Sequence, residues 1–187
     1  MNEKHHDSLK QYVNDMIGLE RDITNAIKLQ AEDERVKEFG ELNAILDEIV
    51  RASEGRMEEL KKLSGEGGGS LGAAVKEGFM AVTGSLAGIY GKIREHPVSR
   101  MVRDDIIALD VASVGYGMLL TLGLSIGDEA CTALAGRGVD ETPPLIIRLT
   151  DLLPLIVAGE LAADAPLANP SAVQVATARI RDSWGSV

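Results

Sequence analysis

The residues best placed to do chemistry are Ser53 and Arg56, three apart in the run FGELNAILDEIVRASEGRMEELKKL. Around them Phe39, Leu42, Leu46, Ile49, Leu60 and Leu63 step by three and four positions. That spacing makes one apolar stripe on a long helix, the seam of a helical bundle. The same stepping passes through Ser53 and Arg56, so both are expected to point inward. On such a face a glutamate and a histidine three residues apart would ligate a metal ion. A serine and an arginine do not, because a guanidinium stays protonated and has no lone pair to donate. If the register is shifted, the next pair is Glu48-x-x-Arg51, and an arginine again stands in the histidine's place.

A second candidate is Glu20. Residues 3 to 30 read as a helix whose stripe is Leu9, Val13, Met16, Ile23 and Ile27, and Glu20 falls within it. A buried carboxylate is costly unless it is paired or hydrogen-bonded. Two readings follow: Glu20 bonds an arginine, Arg56 or Arg51, inside the bundle, or it sits at the edge of the stripe in water. Tyr116 lies in an apolar helix and is expected in the core, its hydroxyl finding a partner. Cys131 has no histidine at helical spacing and reads as a buried thiol. His5 and His6 belong to a terminus and His96 to a break, so none is placed as a ligand.

The elements that must position these groups are all helical, since no run alternates in polarity as a strand does. A first hairpin spans 3 to 63, its turn near the polar AEDER at 31 to 35, its second helix starting at about Asp33. Residues 64 to 72, SGEGGGSLG, place five glycines in nine positions and read as a crossover. A glycine-containing helix follows at 73 to 96, with Gly78, Gly84, Gly88 and Gly91. Pro97 opens a second hairpin, 97 to 162. Its first helix contains Val111 to Gly127, 17 residues without a charge, and is expected to be the buried centre of the bundle. Gly136 or Gly138 should end that helix. Asp140 or Thr142 would then cap the next, with Pro143 and Pro144 in its first turn. Pro154 should kink or divide it. A short last helix covers 170 to 183.

A length of 187 residues fits one domain, 1 to 187, able to bury a sizeable core. With 3% aromatic residues that core must be aliphatic. The net charge of −10 argues against nucleic acid, whose phosphates need a basic face. The 17-residue uncharged run is short for a bilayer, so no membrane insertion is expected. A single cysteine allows no internal disulfide, and the first twenty residues lack an uninterrupted apolar stretch; the expected location is the cytoplasm.

Two long helices, a crossover and two more apolar helices resemble the ferritin-like superfamily, closest to the small bacterial ferritin-like domains of the YciE/YciF type. The resemblance covers about residues 5 to 165. It rests on Tyr12-x-x-Asp15…Leu19-Glu20, on Ser53-Glu54-Gly55-Arg56-Met57-Glu58-Glu59-Leu60, and on Val98-Ser99-Arg100-Met101-Val102-Arg103-Asp104-Asp105…Ala108-Leu109. It implies an all-α four-helix bundle and, in the family, a di-metal site of a glutamate from each of two helices and Glu-x-x-His from the other two. Only Glu20 carries over; Ser53, Arg56, Glu48 and Arg51 depart from the pattern, and Asp151 and Glu160 come without a histidine. The implied fold therefore stands with no cofactor and no metal expected. The chain is expected to be a binding or structural module that forms a homodimer, with a di-iron or di-manganese oxidase or ferroxidase, and then a membrane-associated helical protein, as alternatives.

Overall fold

The computed structural model describes residues 3–65 and 97–185. Over these it is all-helical, with six helices and no strand: α1 (Glu3–Ala31), α2 (Glu34–Lys37), α3 (Gly40–Leu63), α4 (Val98–Ile126), α5 (Glu129–Asp164) and α6 (Ala172–Trp184). The glycine-containing segment at 73–96, and the crossover beyond Gly65, lie outside the described residues. Helix α1 packs against α3 and α4 against α5; across the molecule α1 also meets α4, and α3 meets α5. The four long helices thus form a closed ring of neighbours around one aliphatic core.

The stripe of α1 is buried throughout, from Leu9 and Val13 to Ile23 and Ile27. So are Leu42, Leu46, Ile49 and Leu60 of α3, with Phe39 and Leu63 half-buried at its ends. The second helix does not run unbroken from Asp33. Asp33 caps the single turn α2 by accepting from the Arg35 N–H at 3.0 Å, and Phe39 then leaves helical geometry at φ −104° and ψ 86°. Asn43 Nδ2 fastens the break, donating to the carbonyls of Val36 and Phe39 at 3.2 Å each. The break turns Val36 fully inward.

The boundary inside the second hairpin also differs from the expected one at 136–142. Helix α4 ends at Gly127, whose φ of 71° is the left-handed conformation that glycine adopts without strain. The Asp128 N–H reaches back to the Gly123 carbonyl at 3.0 Å, and the Asp128 side chain then caps α5 by accepting from the Cys131 N–H at 2.9 Å. One residue pair closes one helix and opens the next. Helix α5 continues through Pro143, Pro144 and Pro154 without dividing. Pro143 and Pro144 are exposed. Burial of Leu145, Ile146, Leu149, Leu152 and Ile156 holds the helix against the proline penalty. At the far end of the hairpin the Glu160 carboxylate receives the Ser99 N–H at 2.9 Å and its hydroxyl at 2.6 Å. It thereby caps the amide-rich end of α4, where negative charge is favoured.

Helix α4 is not the buried centre that its apolar run suggests. Ala108, Ala112, Tyr116 and Leu119 face the core, but Ile107, Val111, Val114 and Met118 form an exposed stripe. In the ring α4 packs chiefly against α1 and α5. Among the described residues α4 is the one helix long and apolar enough to cross a membrane by length and composition.

Candidate functional site

Each long helix sends a polar group to one point in the core. Glu20 comes from α1, Ser53 and Arg56 from α3, Tyr116 from α4 and Glu141 from α5. Arg56 is the hub. Its Nε donates to Glu20 Oε1 at 2.7 Å, and Nη2 lies 3.4 Å from both Glu20 Oε2 and Ser53 Oγ. Its Nη1 donates to Glu141 Oε2 at 2.9 Å. The Tyr116 hydroxyl donates to Glu20 Oε1 at 2.5 Å, and the guanidinium carbon sits 5.5 Å from the Tyr116 ring centroid. Glu20 is 0% exposed and Arg56 4%, whereas Glu141 is 46% exposed and forms the one wet edge of the cluster.

Electrostatics fix the protonation of this cluster. Burial works to lower the affinity of Arg56 for its proton, but the facing Glu20 carboxylate outweighs it and the guanidinium is held above its usual range. Burial and then the Glu20 charge push the Tyr116 phenol above its ordinary value, so it remains a donor at neutral pH. The arrangement is a permanent cation, a carboxylate and a phenol that keeps its proton. The guanidinium and the phenol thus both keep their protons and both point donors at Glu20.

Tyr116 reaches the cluster because Gly138 lets it. A Cβ built on Gly138 would lie 2.4 Å from Tyr116 Cγ and within 2.6 Å of both adjoining ring carbons. The α4 ring therefore rests directly on the α5 backbone, and only glycine leaves room for it. One turn on, the buried Thr142 hydroxyl donates to the Gly138 carbonyl at 2.7 Å.

The other sequence candidates lie elsewhere. Glu48 accepts from Arg148 Nη1 at 2.5 Å on the exposed α3–α5 edge, and Arg51 is exposed away from the cluster. Asp151 pairs with Arg181 of α6 through two bonds of 3.0 Å. His5 and His6 are exposed in the first turns of α1, and His96 is outside the described residues. Cys131 is buried with its thiol 3.6 Å from the Leu119 carbonyl; burial, with Asp128 nearby, pushes it from 9.0 up to about 11, so it is neutral and unreactive at pH 7. Glu141 and Gly138 escaped the sequence reading because a helix boundary was expected there.

The donor set does not fit a di-metal centre. Both carboxylates at the cluster are bonded to Arg56, no histidine is present, and the space between the helices is filled by a cation. Among the described residues no three His, Cys, Asp or Glu side chains converge as ligands.

A second feature is a groove of about 440 Å³ between α1 and α4. It is lined by Met16, Leu19, Val114, Gly115 and Met118, and by Asp15 and Asp110. Burial raises the Asp15 carboxyl above its ordinary value. Compared with known proteins, the chain matches no family model, no curated protein and no solved structure.

Proposed function

We propose that this chain is a ferritin-like helical bundle acting as a binding or structural module, with a fixed guanidinium where that fold would carry metal. The observation that supports this most is the Arg56 hub, which draws on all four long helices and neutralises Glu20. In a carboxylate-bridged bundle two metal cations neutralise the inward acids and tie the helices together. Here one arginine does the same electrostatic work. The ring of four long helices, with α4 and α5 as the second hairpin, supports the ferritin-like reading.

The test is elemental analysis of untagged protein after incubation with iron and manganese. The proposal expects less than about a tenth of an equivalent of either metal after desalting, since weak surface sites do not survive it. About two equivalents, lost on Glu20→Ala, would restore the oxidase or ferroxidase reading.

The module is further proposed to self-associate as a homodimer. Ile147, Leu155, Val157 and Leu161 are exposed along α5, apolar side chains that a second copy would cover. Light scattering at micromolar concentration is expected to give the mass of two chains. A single-chain mass would remove this part of the proposal.

A further inference from the structure

The groove between α1 and α4 joins an apolar lining with two carboxylates. Its lining is mostly apolar, with Met16 and Leu19 buried and Val114 and Met118 exposed, and its size is that of a small-molecule site. Asp15 and Asp110 line it as well, and no cation among the described residues is bonded to either of them. Asp15 is moreover partly desolvated, which disfavours its charge unless a cation arrives. Gly115 shapes the lining. A Cβ there would come within 2.5 Å of Met16 Sδ, so a side chain at this position would push Met16 aside and fill the space.

We infer that this groove binds a small amphiphilic cation, an aliphatic ammonium whose chain covers the apolar lining and whose head is met by Asp15 and Asp110. Charge complementarity selects this occupant. A fatty carboxylate would bring like charge against two carboxylates. A symmetric second copy would place the Asp15 and Asp110 pairs of both chains in one apolar interface, where like charges are costly. An anionic lipid surface is repelled by the same two groups. The inference stands on the groove alone and does not depend on the metal-free reading of the core.

The test uses three probes with the same eight-carbon chain: n-octylammonium, n-octanol and n-octanoate, each titrated well below its aggregation concentration. Amide NMR signals of Tyr12, Val114 and Gly115 report binding in the full chain. Saturable shifts are expected with octylammonium, with affinity roughly fivefold above octanol, the step that one or two partly exposed charge contacts supply. Octanoate is expected to give no saturable shift. Asp15→Asn and Asp110→Asn should each bring octylammonium towards the octanol value. Neither residue belongs to the core, so both variants should keep the parent unfolding midpoint. Equal affinity for the three probes, or undiminished octylammonium binding by the double Asn variant, would overturn the inference. So would silence of these signals with octylammonium together with conversion of a dimer to monomer by Val114→Glu, which would make the groove a contact between copies.

Discussion

Replacing Arg56 by methionine is expected to lower the unfolding free energy by about 3–5 kcal/mol, measured by urea denaturation. Methionine fills much of the arginine stem's volume, so the loss is electrostatic more than steric. It leaves Glu20, which is 0% exposed, with a buried negative charge and only the Tyr116 hydroxyl to meet it. The exposed pairs of this molecule set the scale for comparison. Lys28–Glu54 and Arg148–Glu48 lie in water, and breaking either should cost at most ~1 kcal/mol. Arg56→Lys should recover little. An ammonium is a compact point charge and cannot span Glu20, Ser53 and Glu141 from a planar fork.

The second large effect is expected at Gly138. Gly138→Ala should destabilise the protein by about 1–3 kcal/mol, although alanine is the better helix former by ~1 kcal/mol. The added methyl would meet Tyr116 at 2.4–2.6 Å, and the atoms it meets are the root of the ring, which cannot swing away as a flexible tip could. Moving the ring also pulls the phenol from Glu20. Gly136, two residues earlier on the same helix, is the control. A Cβ there meets nothing within 4 Å, so Gly136→Ala should raise stability by up to about 1 kcal/mol. Thermal unfolding of the two variants reads the sign directly. Opposite signs support the Tyr116–Gly138 contact, and two stabilised variants would contradict it.

What could be read from the residues depended on periodicity. The α1 stripe and the α3 seam were legible because aliphatic side chains at three- and four-residue steps have one way to be buried together. Glu20 and Arg56 stood out as polar interruptions of those stripes, and the need to neutralise a buried acid offered Arg56 or Arg51 as its partner, beside the reading of Glu20 in water at the stripe's edge. Tyr116 was placed in the core by the same reasoning. The α4–α5 boundary was not read correctly, because two adjacent prolines and two glycines at 136–144 are a louder local signal than Gly127-Asp128. Packing overrode that local preference: Leu134, Ala135, Leu145 and Ile146 are buried on one continuous helix. The true signal was a glycine able to take positive φ followed at once by a capping aspartate. The misplaced boundary in turn hid Glu141 and Gly138. The groove was not legible at all. Asp15 and Asp110 lie 95 positions apart, and only the packing of α1 on α4 brings both to one surface.

The most direct test of the Arg56 hub is a double-mutant cycle between Glu20→Gln and Arg56→Met, read by urea unfolding. Each single change strands one member of the pair in the core, whereas the double variant removes both charges. The double variant is therefore expected to be more stable than Arg56→Met alone, with an interaction energy of about 2–3 kcal/mol. Additive losses, within about 0.5 kcal/mol, would mean that the two groups do not act as a pair, and the guanidinium would then not be what holds the centre of the bundle.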